Sequence, residues 1–375
     1  MVNQPECRVA DRVIGPGHPL FFIAEIGLNH NQDLDLAMAL IDAAADAGCS
    51  AAKFQTFQAS DVYVEGTRAG IYHLMGQEIP IFELHKGLEM SADWVCSLKA
   101  YCDQRDILFF SAPIGMEAVA MLASVETPAL KISSYELTNL PFVKQVAEVA
   151  PAVILSTGAA NLGEIEAAVR TIQAADCPLS LMHCVTEYPA PLDHANLAVM
   201  DTLRSAFGVP VGFSDNGFRT KDGAIDHHHV PGASASLGAD LFEVHITLDR
   251  KLPGPDHGFA TEPTELASMV ELMNRNREAF QAGQAPPIPE LLLGSSEKRS
   301  LASEAYVREF AFKGIFATCA IRVGDQLGPD NIRCLRPGEG PQGISPKYLN
   351  KITGKRAPRP LAAFEPVTWD WLLGE

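Results

Sequence analysis

The sequence predicts an eight-stranded β/α barrel, a TIM barrel, followed by a small C-terminal domain, and three observations carry that expectation. Strand-like apolar runs alternate with helical patterns eight times between residue 20 and about residue 281. Eight such units in about 260 residues match a closed barrel, which takes about 250. A proline-dense stretch then sets off a short Gly- and Pro-rich segment at the C-terminal end. An open doubly wound sheet is the alternative, but it carries a GxGxxG turn after its first strand, and here that place reads EIGLNHNQ.

The candidate strands, in order, are FFIAEI (21–26), AAKFQ (51–55), ILFFS (107–111), ALKIS (129–133), AVILS (152–156), LSLMHC (179–184), PVGFS (210–214) and LFEVHIT (241–247). Helices are expected between them, as in DLAMALIDAAADAG (35–48) and GEIEAAVRTIQAAD (163–176), where apolar residues recur at three- and four-residue spacing. Residues 56–90 are too long for one tight loop; on the carboxyl side of a barrel strand such an insertion falls at the active-site face, as a lid or as a plain surface excursion. The boundaries read from the sequence are 1–281 for the barrel, 282–308 for a linker beginning AGQAPPIPE, and 309–375 for the final domain.

Composition excludes several function classes. The 375 residues carry a net charge of −17, which argues against a general nucleic-acid partner. No apolar run of about 18 or more residues predicts a membrane span, and MVNQPECRVADRV lacks the pattern of a signal peptide, so a cytoplasmic protein is expected. Eight cysteines lie scattered with no CxxC pair, as buried free thiols in a reducing compartment would. The charge is uneven: residues 308–375 hold ten Lys/Arg and seven Asp/Glu, a net of +3, leaving −20 for the rest. A basic tail beside an acidic body is what docking of the two, within or between chains, would use; ordinary compositional scatter is the competing reading.

Nearly every candidate strand ends in residues that can do chemistry. These include Glu25, Asn29 and His30; Lys53 and Gln55; Ser111; Lys131, Ser133, Ser134 and Glu136; Ser156 and Thr157; His183, Thr186, Glu187 and Tyr188; Ser214, Asp215 and Asn216; and Glu243 and His245. In a barrel these ends converge on one mouth. A lysine inside an apolar strand is costly without a partner, so Lys53 and Lys131 are expected to face an anion or a carboxylate, with Glu25 and Glu243 as the structural alternative. Two lysines with Ser134, Ser156 and Ser214 make a cradle for a phosphate. The turn PGPDH adds Asp256 and His257 to the same face.

Taken in order, FIAEIGLNHNQD, AAKFQTF, ALKISSYELTNL, VILSTG, LMHCVTEYPAP, VGFSDN, FEVHITLD and PGPDH resemble the sialic acid synthase family. The segment GDQLGPDNIRCLRPGEGPQGISPKYLNKITGK resembles that family's antifreeze-like (SAF, β-clip) domain. The resemblance implies a metal-dependent condensation of phosphoenolpyruvate with an open-chain acetamido-hexose, N-acetylmannosamine or a 2,4-diacetamido relative, to a nine-carbon 2-keto acid. It implies Lys53, Lys131, Ser134, Ser156 and Ser214 as the phosphoenolpyruvate site and Gln55, Tyr188, Glu136 and Asp256 as sugar contacts. Glu25 and Glu243 become acid–base candidates, with Asp256 counted among the catalytic group. His245 becomes a ligand for a divalent metal of the manganese type. Arg336, in LRPGEG, would reach a neighbour's sugar site across a domain-swapped homodimer.

Two departures stand out. Where the family reads SDHT after the seventh strand, this chain reads SDNG, so Asn216 takes the place of the second metal-ligating histidine; an amide oxygen is the weaker ligand. One of His227, His228 and His229, in the insertion that follows, is an alternative donor. Ala112 stands where the family tends to have a threonine. Two rival functions remain: another phosphoenolpyruvate-dependent 3-deoxy-2-keto acid synthase, and a catalytically weakened sugar-binding homologue.

Overall fold

In the computed structural model, which describes residues 5–65, 70–74 and 77–374, eight parallel strands close into a barrel in sequence order. They are β1 (Phe21–Gly27), β2 (Ala51–Phe57), β3 (Leu108–Ile114), β4 (Leu130–Ile132), β5 (Val153–Ser156), β6 (Leu179–Cys184), β7 (Val211–Asp215) and β8 (Leu241–His245). The helices that follow them are α1 (Leu34–Asp46), α2 (Ala92–Gln104), α3 (Met116–Ser124), α4 (Leu140–Val149), α5 (Leu162–Gln173), α6 (Val199–Phe207), α7 (His229–Ser236) and α8 (Pro263–Gln281). Among the described residues no helix is long and apolar enough to cross a membrane.

Local sequence sets these elements. Helix α1 buries Ala37, Leu40, Ile41 and Ala44 at helical spacing, and Asp33 caps it by accepting from the backbone N–H groups of Asp35 and Leu36. Helix α5 starts in a reciprocal Asn161–Glu164 capping box and buries Ile165, Ala168, Val169 and Ile172. Burying each of the leucine, isoleucine and valine side chains among them stabilises the fold by ~1.5–3 kcal/mol.

The two-residue period of a strand divides the barrel into layers. In β1, Phe22, Ala24 and Ile26 face the helices. Phe21 and Ile23 face the interior, packing with Phe110, Ile154, Met182 and Leu241. The same alternation carries the next interior position up to Glu25, and in β8 it carries Leu241 up to Glu243 and His245. Gly212 in β7 is required by close approach: a Cβ there would lie 1.8 Å from the carbonyl oxygen of Leu241.

The floor is closed by a hairpin the sequence did not announce, Cys7–Val9 paired with Arg12–Ile14, whose Cys7, Val9 and Ile14 join the interior cluster. Arg277 of α8 fixes it, donating to Gly15 O (3.1 Å) and Asp240 Oδ1 (2.8 Å). At the other end, the excursion after β2 holds a short helix (Ala59–Val62), a hairpin (Ile71–Leu74 with Gln77–Pro80) and a helix (Ile81–Lys86). It packs on Leu28 and Ile114 beside the mouth; residues 66–69 and 75–76 of this candidate lid lie outside the described ones.

The C-terminal domain is built on an antiparallel pair, β9 (Gly314–Ala317) and β10 (Ile332–Leu335), with a core of its own that includes Ile315, Leu327, Ile352, Val367 and Trp371. It rests on the barrel mouth. Arg336 N donates to Val62 O (2.8 Å), and Val64 of the excursion packs with Phe316 and Leu335.

Candidate active site

The mouth holds a cavity of about 390 Å³, within the range of small-molecule sites. At its floor stand four buried charges. Lys53 Nζ lies 2.5 Å from Glu25 Oε2 and 3.8 Å from Glu243 Oε2. Lys131 Nζ donates to both oxygens of Glu243 at 2.7 Å. Register makes this possible, because Glu25 sits opposite Lys53 on β2 and opposite His245 on β8.

Burial and charge compete at each group. Burial alone would raise the pKa of Glu243, but Lys131 and Lys53 overcome it and hold the carboxyl at about 2. Burial would lower the pKa of Lys53, but Glu243 and Glu25 outweigh it and the ammonium is held above its ordinary value. For Lys131 burial wins and the amine is pulled down, with Glu243 opposing. Burial also raises Asp256, against His245, whose Nδ1 is 3.6 Å from Asp256 Oδ2. Three carboxylates (Glu25, Glu243, Asp256) thus face three cations (Lys53, Lys131, Arg336) around one cavity.

Hydroxyl donors ring this floor. Ser134, Ser156 and Ser214 line the cavity, and Ser214 Oγ donates to Glu243 Oε1 (3.1 Å). Ser134 Oγ lies 3.2 Å from Cys184 Sγ and accepts from Gly158 N (2.9 Å). Gly158 permits that approach, since a Cβ there would lie within 2.9 Å of Thr186, Cys184 and Ser134 atoms. Gln55 Nε2 donates to Glu25 Oε1 (2.9 Å). Towards the rim, the Tyr188 and Tyr135 hydroxyls are 3.1 Å apart. The Arg336 guanidinium lies over the rings of Tyr63 (5.4 Å) and Tyr135 (4.8 Å).

The cavity lining therefore includes Glu25, Lys53, Gln55, Lys131, Ser134, Ser156, Tyr188, Ser214, Asn216, Glu243, His245, Asp256 and Arg336, together with Ala112. Two expectations are corrected. Glu136 is not in the mouth: it is fully buried 3.0 Å from Lys313 Nζ, at the seam with the C-terminal domain. His227, His228 and His229 do not line the cavity either. His227 contacts Glu265 (3.1 Å) and Arg250, His229 is paired with Asp226 (2.7 Å), and His228 precedes α7. Arg336 lines the cavity, and its backbone N donates to Val62 O.

Other strand-end polar residues fall in the outward phase. Ser111 bonds Thr56 (2.8 Å), Thr157 donates to Met182 O (2.9 Å), and His183 is held by Ala195 O (3.0 Å). Cys184 was missed although the 180–182–184 alternation points it inward. Tyr135 was missed because it follows β4 in a 3-10 turn. Tyr63 and Tyr72 belong to the excursion, where no periodicity predicts orientation; Tyr72 OH donates to Pro255 O (3.3 Å) across the rim.

A divalent ion fits this mouth in a restricted way. His245 Nδ1 is buried without a hydrogen-bond partner. Asn216 donates its Nδ2 to Val185 O (2.8 Å), which leaves Oδ1 as its acceptor. Among the described residues no group of three or more His, Cys, Asp or Glu side chains is gathered to hold a metal alone. One imidazole and one amide oxygen, with Asp256 close to the imidazole, suit a weakly held hard cation more than a tightly held zinc.

Comparison with known proteins gives the same picture over the whole chain. Residues 40–285 match the NeuB family and residues 312–373 the SAF domain. The chain is 40% identical over 370 residues to the spore coat polysaccharide biosynthesis protein SpsE of Bacillus subtilis, covering 98% of this chain and 97% of that protein. The crystal structure of SpsE superposes with a TM-score of 0.86 at 39% identity, covering 98% of this chain and 99% of that one. An N,N'-diacetyllegionaminic acid synthase of Campylobacter jejuni is 33% identical over 339 residues, 89% of this chain and 95% of that protein. The N-acetylneuraminic acid (sialic acid) synthetase of Leptospira borgpetersenii, solved with citrate, matches at 32% identity and a TM-score of 0.66, over 82% of this chain and 96% of that one. A barrel with this polar mouth, matched over most of its length and followed by a SAF domain, makes the chain a member of the NeuB family.

Proposed function

We propose that the protein joins phosphoenolpyruvate to an open-chain acetamido-hexose, N-acetylmannosamine or a 2,4-diacetamido relative, giving a nine-carbon 2-keto sugar acid and phosphate. The observation that carries this reading is the pair of buried lysines, Lys53 and Lys131, facing one cavity among the hydroxyls of Ser134, Ser156 and Ser214. Such a floor suits a small, multiply charged anion. Relatives along the whole chain named as legionaminic, pseudaminic and N-acetylneuraminate-9-phosphate synthases support the same chemistry.

In this reading the two ammonium groups and the three serines hold phosphoenolpyruvate. Its C3 forms a bond to the aldehyde carbon of the sugar, water adds at C2, and the bond between C2 and the phosphate oxygen breaks, releasing phosphate. Glu25 and Glu243 line the cavity beside that anion. One of them takes the proton that water gives up, the aldehyde oxygen gains a proton and becomes a hydroxyl, and the proton of the new C2 hydroxyl leaves with the phosphate as the ketone forms. Gln55, Tyr188 and Asp256, with Arg336 above them, face the upper cavity and orient the sugar. A divalent ion held by His245 and Asn216 Oδ1 would polarise the aldehyde oxygen.

The test is phosphate release from phosphoenolpyruvate with manganese and a panel of acetamido-hexoses, followed by the product mass. A nine-carbon 2-keto acid from one sugar is the expected result. A shorter keto acid from a simpler aldehyde would move the protein to another synthase class, and no release with any sugar would leave it a binding protein.

A further inference from the structure

We infer that Cys184 is a positioning residue of the anion cradle: its thiol donates to Ser134 Oγ and so aims the Ser134 hydroxyl proton at the phosphate of the bound substrate. The inference rests on reading the barrel mouth as the phosphoenolpyruvate site.

Strand register sets this thiol among the hydroxyls. Strand β6 ends at Cys184, which pairs with Ser214 on β7, while Met182 two residues back pairs with Ser156 on β5. The alternation that puts Met182 in the barrel interior puts Cys184 in the same phase one layer higher, buried and lining the cavity. Ser134, at the start of the 3-10 turn after β4, is buried beside it and lines the same cavity. Two groups converge on its oxygen: Gly158 N donates at 2.9 Å, and Cys184 Sγ lies at 3.2 Å. Gly158 also walls the contact, because a Cβ there would lie 2.8 Å from Cys184 Sγ and 2.9 Å from Ser134 Oγ.

The proton count then decides what Ser134 can offer. A hydroxyl has one proton and two lone pairs. The Gly158 N–H takes one pair. If the sulfur accepted from Ser134, the only hydroxyl proton would be spent inside the protein, and a bare lone pair would be left for the phosphate oxygens. If the thiol donates, both pairs are filled and the proton is left for the anion. Burial pushes the Cys184 thiol up, so the sulfur keeps the proton it has to give. A hydrogen bond to a charged phosphate is roughly twice as strong as a neutral one, whereas sulfur is a weak acceptor. The bound anion therefore draws the Ser134 proton to itself and turns the thiol into the donor. Cys184 acts through Ser134.

Calorimetric titration of the full chain with phosphoenolpyruvate tests the proposal. Cys184→Ala should weaken binding by ~3–10-fold, the span of one neutral hydrogen bond, and leave the sugar KM unchanged, with the chain folded by circular dichroism. Cys184→Ser restores a donor and should recover part of the loss. In a Ser134→Ala background, Cys184→Ala should add less than ~2-fold, because the residue it acts through is gone. Any of four results overturns the proposal: wild-type affinity in Cys184→Ala, an equal rise in the sugar KM, no recovery in Cys184→Ser, or losses from Ser134→Ala and Cys184→Ala that combine in full. A chain that binds phosphoenolpyruvate but turns over no sugar fails the reaction reading alone, and the binding cycle still decides the role of Cys184. A chain that binds neither phosphoenolpyruvate nor inorganic phosphate overturns both.

Discussion

Replacing Lys313 by methionine separates two roles for Glu136, a sugar contact or a docking charge. Lys313 Nζ is 3.0 Å from Glu136 Oε1, at an angle poor for a hydrogen bond, and donates to Asp61 O at 2.8 Å. At an effective dielectric of about 20, two unit charges at that separation attract by about 5.5 kcal/mol. Desolvating both ions costs several kcal/mol each, so the pair in place is worth little net. What the substitution reveals is the carboxylate left behind. Glu136 has no exposure to water, and its remaining side-chain donor is Asn139 Nδ2 at 3.1 Å. Lys313→Met should therefore destabilise the protein by ~3–5 kcal/mol, measured by urea unfolding with the two domains followed by separate probes. Adding Glu136→Gln removes the stranded charge, so the double variant should recover ~2–3 kcal/mol of that loss. A single variant that loses less than ~1 kcal/mol, or a double variant less stable than the single, would refute the reasoning. If Glu136 instead served the sugar, Glu136→Gln would change the sugar KM and leave unfolding untouched.

Four other outcomes follow from the geometry. Lys53→Met should lower turnover by at least ~10²-fold while the chain stays folded, because the cation closest to Glu25 and to the bound anion is lost; near-normal turnover would remove Lys53 from the site. Burial lowers His30 and His85 to about 4, and burial beside Lys298 lowers His183 to about 3. These folded-state values lie below the unfolded one, so their stability is fully present above pH ~6.5 and is lost as pH falls, at ~1.4 kcal/mol per pH unit for each histidine. His183→Gln should flatten that acid slope by one such increment in urea titrations between pH 7 and 5, and an unchanged slope would contradict it. Asn216→His should tighten manganese binding by ~10-fold or more in calorimetry, and an unchanged affinity would exclude the position as a ligand. Buried Glu304 accepts from the N–H groups of Ala159 (3.1 Å), Thr186 (2.8 Å) and Leu301 (2.7 Å), so Glu304→Ala leaves them unpaired and should destabilise the chain by ~1–3 kcal/mol for each group that water cannot reach, with Glu304→Gln recovering part of the loss in urea unfolding; unchanged stability would mean that Glu304 does not hold the loops after β5 and β6.

The barrel was legible because its signal is periodic. Each predicted strand appears within one to three residues of its expected bounds, and the inward phase of β1, β2, β4 and β8 puts Glu25, Lys53, Lys131 and Glu243 on one floor. The same phase rule, applied strictly, separates them from Ser111, Thr157 and His183, which end strands but point outwards. Treating every polar strand end as a mouth residue ignored that parity. Glu136 failed for a different reason: it lies past the strand, in a 3-10 turn where alternation no longer applies, and only the docked domain decides which way it faces. The floor hairpin was invisible because each of its strands is three residues long, too short to show a period.

The uneven charge of the chain acquires a physical meaning at the seam between the domains. Three of the basic residues in 308–375 enter it: Lys313 against Glu136, Arg333 against Asp61 (3.1 Å), and Arg336 against Tyr63 and Tyr135. The two lysine and arginine positions at 313 and 336 are buried, whereas the Arg333 side chain is half exposed. Salt screens exposed charges over about 8–10 Å at physiological strength and reaches buried pairs far less. Docking held in this way should therefore survive high ionic strength yet depend on single side chains, because removing one buried partner strands the other in a place water does not reach. Net charge alone carries neither property. A tail of +3 spread over an exposed surface would give a docking that salt dissolves, and here two buried cations make the difference.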